Sequence, residues 1–299
     1  MIRMIQQPRF PDFFILGAAK SGTTSLHAWL EQHSEIAMSN PKEPFFFEAE
    51  YERGLAYYWQ RYFNHWAGER LVGDARHRNL YLPYVPARIS ASAPDARLIA
   101  ILRNPVRRAL SHWWHWFARG RDELYFEAAL EVDLSRIAAG NQISTAAEIA
   151  GYSAQLCADG RGPHRTYLDS GYYAEQLQRY FAHFPRDRMK IMIFEEVVQN
   201  PRRHCAELFE FLGVNPGEAR RISYAVFANQ AESMVPRIAA RWTTMRTHAM
   251  LRGGDPPSGP AIVTRGPSMS RSVEAWLVAH YAPYNEALAE LLGRRLPWD

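Results

Sequence analysis

The stretch that most constrains the fold is FFILGAAKSGTTSLHAWLEQH, residues 13–33. Its first five residues form an apolar run that ends at Gly17, which is typical of a buried parallel strand. Helical spacing follows from near Thr24, with Leu26, Trp29, Leu30 and His33 on one face. A strand, a glycine loop and a helix in this order place backbone N–H groups and the positive end of a helix dipole at one point. The stretch therefore predicts an anion site at the edge of a parallel sheet.

The rest of the chain repeats this alternation. RLIAIL (97–102) and MKIMIFEEV (189–197) are predicted as buried strands, and helices are predicted after Pro105 and over about 272–292. This order predicts an α/β fold with a central parallel sheet flanked by helices. We expect one domain over residues 1–299, with a helical or loop insertion around 119–170, where the pattern is weak.

The aromatic run SHWWHWF, residues 111–117, lies in the helix predicted after Pro105. Helical spacing places Trp113 and Phe117 on the core face and leaves Trp114 and His115 off it. We interpret the run as core packing rather than as a stacking surface for a ligand.

Composition limits the classes of partner. Lys and Arg number 35 against 31 Asp and Glu, so the formal charge is 35 − 31 = +4. This excess is too small and diffuse to predict nucleic-acid binding, although it suits an anionic ligand. Cys157 and Cys205 form neither a metal-binding spacing nor a disulfide framework. No run of 18 apolar residues and no signal-peptide core occurs, so we expect no membrane span and a cytoplasmic location. Oligomeric state is left open.

The order of residues in the loop separates two kinds of phosphate site. A Walker-type loop, G-x-x-x-x-G-K-[ST], has its lysine after the second glycine, whereas here Lys20 precedes Gly22. A nucleotide triphosphatase would also need Mg²⁺. The early lysine favours a shorter anion, a 5′-phosphate that carries one transferable group, and no metal. The predicted anion-binding residues are Lys20, Ser21, Gly22, Thr23, Thr24 and Ser25.

Three segments resemble one family, the sulfotransferases that use 3′-phosphoadenosine 5′-phosphosulfate (PAPS). GAAKSGTTSL resembles their 5′-phosphosulfate loop, and LIAILRNPVRRALSHWWHW resembles their second motif. In that family an arginine and a serine of the second motif hold the 3′-phosphate, which implies these roles for Arg103 and Ser111. VTRGPSMSRSVEAWLVAHYAPYNEALAELLGR resembles a late segment and implies that Arg265 and Gly266 cover the 3′-phosphate and adenine. The resemblance thus implies the P-loop-like sulfotransferase fold, PAPS as donor and 3′-phosphoadenosine 5′-phosphate (PAP) as product.

The family's branches differ in their catalytic base. Cytosolic members that act on small molecules generally use a histidine, whereas glycan members resembling heparan sulfate sulfotransferases use a glutamate after the first helix. SNPKEPFFFE (39–48) is similar to the glycan-type segment K-E-x-x-F-F, which implies Glu43 as base beside Lys42. Such a carboxylate within about 3 Å of an acceptor hydroxyl can take its proton. Lys20 would stabilise the charge that develops on the leaving phosphate.

The segment GDARHRNLYL departs from the family pattern. Many relatives have Ser/Thr-Pro where this chain has Arg76 and His77. His77 is therefore an alternative base, since the pKa of an imidazole lies in the useful range. Arg76 and Arg78 are left open between binding an anionic acceptor and a solvated loop. Tyr172, in a G-x-Y segment, is a weaker acceptor-side candidate.

These observations predict a sulfotransferase that moves a sulfuryl group from PAPS to a hydroxyl of a glycan or a small natural product. Two alternatives remain open: a non-catalytic binder of nucleotides or sulfated ligands on the same fold, and a P-loop kinase. The binder would retain ligand affinity without turnover, and the kinase would require Mg²⁺. The acceptor itself is not readable, because recognition residues lie on loops of variable length.

Overall fold

A five-stranded parallel sheet forms the centre of the structure, a computed structural model that describes residues 8–118, 121–122, 124–140, 148, 150–151, 165–224 and 267–298. The strands are β1 (Phe13–Gly17), β2 (Ile36–Met38), β3 (Leu71–Ala75), β4 (Arg97–Leu102) and β5 (Met189–Ile193). Their order is β2-β3-β1-β4-β5, and each neighbouring pair is parallel. Strands β2 and β3 lie on one side of β1, and strands β4 and β5 lie on the other side. The carboxyl end of β1 therefore lies at the switch point where α/β folds bind ligands.

Helices cover both faces of the sheet. In chain order they are α1 (Thr23–Leu30), α2 (Gly54–Tyr62), α3 (Val85–Ser92), α4 (Pro105–Phe117), α5 (Phe126–Ala138), α6 (Tyr173–Phe181), α7 (Phe194–Gln199), α8 (Pro201–Leu212) and α9 (Arg271–Leu292). A π-helix spans Phe46–Glu50, and 3-10 turns span Tyr51–Arg53, Asp169–Gly171, Arg186–Arg188 and Pro216–Arg220. Within the described ranges, no helix is long and apolar enough to cross a membrane.

Successive side chains of each strand point to opposite faces, so the sheet separates two apolar cores. Phe14 and Leu16 of β1 belong to the core that includes residues of α2, α3 and α6. Phe13 and Ile15 belong to the opposite core, which includes residues of α1 and α8. A third cluster joins α4, α5 and α9 beside the sheet. This arrangement confirms the predicted α/β fold with a parallel sheet flanked by helices.

Two details of the fold correct the sequence-based predictions. The third predicted strand, 189–197, ends at Ile193, and helix α7 follows because Glu195 and Glu196 suit the first turn of a helix. Trp114, predicted to lie off the core face, is buried. Its ring lies 5.7 Å from that of Trp113 and belongs to the third cluster, so α4 is covered on more than one side.

The predicted insertion around 119–170 is described in part. Its helix α5 packs in the cluster with α4, and much of the rest lies outside the described residues. The single domain over residues 1–299 stays a prediction.

Candidate active site

The phosphate-type loop connects β1 to α1 at the carboxyl edge of the sheet. The Ala18 N–H donates to the Ile101 carbonyl at 2.8 Å, which ties the loop to β4. Gly22 occupies the N-cap of α1 with φ of 91°, a left-handed conformation that favours glycine. Because Gly22 has no side chain to accept from the first-turn N–H groups, the positive end of α1 suits an anion. Thr24 is exposed, and the other loop hydroxyls, on Ser21, Thr23 and Ser25, are buried.

Lys20 is held by contacts from two other elements. The Arg103 Nη1 donates to the Lys20 carbonyl at 3.0 Å. The Lys20 ammonium contacts Nδ1 of His115 on α4 at 3.1 Å. Since an ammonium is donor only, Nδ1 accepts this bond. These two contacts fix the backbone of Lys20 and hold its ammonium beside α4.

Arg103 follows β4 directly, as predicted for a residue at the sheet edge. Its guanidinium carbon lies 4.8 Å from the centre of the Phe194 ring, and its carbonyl accepts from the Tyr173 hydroxyl at 2.9 Å. Burial lowers the pKa of the Arg103 guanidinium, which stays protonated nonetheless. Ser111 is half-buried in α4, one turn before His115. Since residues four apart share a helix face, Ser111 lies on the same face of α4 as His115.

Glu43 follows β2 in the chain and lies beside the carboxyl end of β3, where the segment that departs from the family pattern begins. Its N–H donates to the Ala75 carbonyl at 3.1 Å. One carboxylate oxygen pairs with Lys42, and the other accepts from the N–H and Nδ1 of His77 at 3.0 and 2.8 Å. Burial raises the pKa of the Glu43 carboxyl, but the electrostatic interaction and hydrogen bond with His77, together with the charges of Lys42 and Arg76, outweigh it. The net effect holds that pKa well below its usual range, so Glu43 is a carboxylate at neutral pH.

The two candidate bases of the sequence analysis, Glu43 and His77, are thus one hydrogen-bonded pair. Burial lowers the pKa of the His77 imidazole, and the positive charges of Arg76 and Lys42 add to this, although Glu43 acts in the opposite direction. His77 is therefore neutral at pH 7. A neutral imidazole carries one N–H, and the acceptor at Nδ1 is a carboxylate, so this proton lies on Nδ1.

Close backbone packing brings His77 next to the phosphate-type loop. The Arg76 N–H donates to the Ile15 carbonyl at 3.1 Å and the Leu80 N–H to the Leu16 carbonyl at 2.7 Å, so this segment continues alongside β1. A Cβ at Gly17 would lie 2.8 Å from the His77 carbonyl oxygen. Glycine is required there because any side chain would push the two segments apart.

A small cavity of about 10 Å³, room for about one water molecule, lies between the loop and this segment. It is lined by Ala18, Ala19, His77, Arg78, Leu80, Tyr81, His112, Thr166, Ser170 and Gln176. Burial, with Arg108 as the nearest charge, holds the pKa of His112 well below its usual range. The cavity therefore carries two neutral imidazoles, His77 and His112, directly beside the loop.

Arg76 and Arg78, left open as anion binders or loop residues, both contact Glu48, which is fully buried. The Arg76 Nε donates to Glu48 at 2.6 Å, and the Arg78 Nε lies 3.2 Å from the same carboxylate. Arg76 also stacks over the Phe45 ring at 4.0 Å. Neither arginine belongs to a solvated loop: their contacts fix the segment that carries His77.

Tyr172 is not among the described residues that line the cavity. Tyr172 is buried against α9, where its ring stacks on Tyr284 at 3.7 Å and its hydroxyl contacts Nε2 of His280 at 2.9 Å. Arg265 and Gly266 lie outside the described residues. Within the part of the chain that is described, no group of His, Cys, Asp and Glu side chains is arranged to hold a metal ion.

Sequence reasoning missed two residues that hold the site together. His115 was set aside as off the core face, although its spacing of four from Ser111 was a signal that it shares the loop-facing side of α4. Glu48 carried no signal, because its role depends on two arginines about 30 residues away, whose approach is a matter of tertiary structure.

The sequence of this chain is similar to those of known sulfotransferases. The family model described as "Sulfotransferase domain" matches residues 10–235. Heparan sulfate glucosamine 3-O-sulfotransferase 3B1 of Mus musculus is 25% identical over 291 residues, which are 97% of this chain and 65% of that protein. Bifunctional heparan sulfate N-deacetylase/N-sulfotransferase 2 of Homo sapiens is 27% identical over 215 residues, 70% of this chain and 22% of that protein.

Among solved structures, a sulfotransferase from Alicyclobacillus acidocaldarius superposes with a TM-score of 0.65 at 26% identity and covers 96% of this chain and 98% of that chain. The chain spans about two thirds of the 3-O-sulfotransferase and nearly all of this bacterial protein. The family match covers all five strands of the described sheet, the loop after β1 and the segment after β4. The chain belongs to the family of PAPS-dependent sulfotransferases.

Proposed function

We propose that this chain transfers the sulfuryl group of PAPS to a hydroxyl of a glycan or a small natural product. One observation carries the proposal: the charge of Lys20, fixed by His115, lies in the loop that borders the cavity lined by His77. The loop that carries the donor-side cation and the acceptor-side base thus border the same cavity. The heparan sulfate relatives favour a glycan.

The donor's two charged ends match two groups of residues. We assign the 5′-phosphosulfate to Lys20 and the loop residues Ser21 to Ser25, where the N-terminus of α1 supports negative charge. We assign the 3′-phosphate to Arg103 and Ser111, with Arg265 and Gly266 expected to contribute from the late segment. When bound, PAPS supplies an activated sulfuryl group, so the chain itself need only position and stabilise.

The chain's own groups have complementary tasks. Lys20 stabilises the negative charge that appears on the leaving phosphate, and a preorganised cation of this kind contributes about 10²- to 10³-fold to the rate. On the acceptor side, the Glu43–His77 pair removes the hydroxyl proton, a contribution of about 10²- to 10⁴-fold. Lys42 neutralises part of the charge of Glu43.

The test is transfer of ³⁵S from labelled PAPS to a panel of acceptors: heparan sulfate, N-acetylheparosan and 4-nitrophenol. We expect label in at least one acceptor, and a fall of about 10²- to 10³-fold in the Lys20→Ala variant. Lys190→Ala is the matched control, because Lys190 lies on β5 and pairs with Ile99 towards the amino end of the sheet. Binding of PAP without transfer to any acceptor would favour the non-catalytic binder, and Mg²⁺-dependent phosphoryl transfer from ATP would favour the kinase.

A further inference from the structure

We propose that Nε2 of His77 accepts the proton of the acceptor hydroxyl, and that Glu43 is a positioning residue that orients His77. This inference rests on the proposed function and assigns the proton to one atom of the Glu43–His77 pair.

Both oxygens of Glu43 are already engaged. One pairs with the Lys42 ammonium, and the other accepts two hydrogen bonds from His77 and lies 3.7 Å from Arg76 Nη1. Hydrogen bonds and positive charges that favour a carboxylate weaken it as a proton acceptor. Glu43 therefore has little tendency to take a proton from a hydroxyl.

His77 contacts Glu43 and also lines the cavity. Its Nδ1 donates to Glu43 at 2.8 Å, which leaves the lone pair on Nε2 at the other edge of the ring. His77 lines the cavity together with Ala18 and Ala19 of the phosphate-type loop, whereas Glu43 is not among the described residues that line it. Within the described residues no hydrogen bond engages Nε2, so its lone pair is available to an acceptor hydroxyl, whereas both oxygens of Glu43 are occupied.

The charges around the ring suit a base that is neutral at rest. Lys42 and Arg76 approach from the side of Glu43, and Arg78 and His112 line the same cavity as His77. Burial and the cations lower the pKa of the imidazole, and Glu43 opposes them by stabilising the imidazolium, so the ring is neutral at rest and has a carboxylate partner when it takes a proton.

The step balances on these groups. As the acceptor oxygen forms its bond to sulfur, its proton moves to Nε2 of His77. The bond between sulfur and the bridging phosphate oxygen breaks, and its electron pair stays on that oxygen, beside the Lys20 ammonium. The products are a sulfate ester, PAP and a His77 imidazolium, which returns its proton to solvent.

The first measurement is the tautomer of His77 by NMR of the full chain labelled with ¹⁵N-histidine. We expect a neutral ring protonated on Nδ1 at pH 7.5, with the signal assigned by its loss in His77→Asn. In Glu43→Gln the pKa of His77 should fall further and the tautomer preference weaken, because a carboxylate that raises this pKa is gone. Glu218→Gln is the matched control, since Glu218 lies 3.8 Å from His33 and should leave His77 unchanged.

The second measurement is the pH profile of ³⁵S transfer. We expect His77→Asn to lower the rate by about 10²-fold or more while PAP affinity stays within about twofold. Glu43→Gln should lower the rate less and move the acidic limb of the profile to lower pH, together with the pKa of His77.

Three results would overturn the inference: a His77 protonated on Nε2 or charged at pH 7.5, a His77 signal unmoved by Glu43→Gln, or His77→Asn more active than Glu43→Gln. Absence of PAP binding and of transfer in the unmodified protein would instead contradict the proposed function, and the NMR result would then still establish which atom carries the proton.

Discussion

Lys20 and Glu43 share an unusual backbone conformation. Within the described residues they are the two non-glycine residues with positive φ, at 65° and 69°. Such a conformation costs of order 1–3 kcal/mol for each residue and persists only where surrounding contacts fix it. Arg103 provides such a contact to the Lys20 carbonyl, and Ala75 provides one to the Glu43 N–H. The two residues chosen from the sequence for their chemistry are thus the two at which the fold stores backbone strain.

The contact between His115 and Lys20 leads to a prediction at the residue scale. His115→Leu removes the acceptor that fixes the ammonium, so we expect sulfuryl transfer to fall by about 10- to 100-fold, as a hydrogen bond to a charged group is worth about 1.5–3 kcal/mol. His115→Asn, which keeps an acceptor on a shorter side chain, should retain more of the rate. Steady-state transfer of ³⁵S measures both variants. Equal rates for His115→Leu and the unmodified protein would show that Lys20 needs no such support.

At the scale of elements, the segment after β3 depends on the buried carboxylate of Glu48. Removing one partner of a buried ion pair leaves an uncompensated charge, at a cost of about 3–5 kcal/mol. We therefore expect Glu48→Ala to lower the free energy of unfolding by about this amount, measured by urea denaturation. Glu52→Ala, at an exposed position nearby, is the control. The double variant Glu48→Ala/Arg76→Met should recover part of the loss, and a loss below about 1 kcal/mol would contradict the role of Glu48.

Strand β3 also carries a buried carboxyl, Asp74, to which the Tyr58 hydroxyl donates. Burial raises the pKa of Asp74 to about 7, and Glu43 adds to this. Because the folded pKa exceeds the unfolded one, the contribution of Asp74 to stability falls as pH rises through about 4 to 7, with a limiting slope of about 1.4 kcal/mol per pH unit.

The neutral substitution Asp74→Asn removes this loss. Its melting temperature relative to that of the unmodified protein should therefore increase between pH 5 and pH 8. Asp95→Asn, on an exposed side chain, should show no such trend. A pH-independent difference for Asp74→Asn would contradict the assignment.

Elements with a strong local pattern were predictable from the sequence. The bounds of β1 and β4 match the predicted strands, because both are apolar runs with a clear end: β1 ends at Gly17, and Arg103 follows the last residue of β4. Strand β2 was not predicted, since its three residues, Ile36–Met38, are too few to show a period. Strand β5 was predicted too long, because an apolar run continued into the acidic start of a helix.

At the scale of the whole molecule, the sequence predicted the loop, Arg103 and the two candidate bases, but not their arrangement. Motifs name residue types at fixed spacing, and the sheet order decides which segments meet. Because β3 and β4 flank β1, the segments that carry His77 and Arg103 lie on the two sides of the same loop. The pairing of Glu43 with His77 across 34 positions is a consequence of that topology.

The central claim is that this edge of the sheet holds a 3′-phosphoadenosine nucleotide, and calorimetric titration of the chelator-treated protein with PAP tests it most directly. We predict binding that needs no metal, exceeds that of ATP with or without Mg²⁺, and weakens by about 10- to 100-fold in Arg103→Ala, as expected for a lost hydrogen bond to a charged group. Arg107→Ala, on an exposed arginine that pairs with Glu274, should leave the affinity unchanged. No binding of PAP, a metal-dependent preference for ATP, or equal affinities in the two variants would contradict the claim.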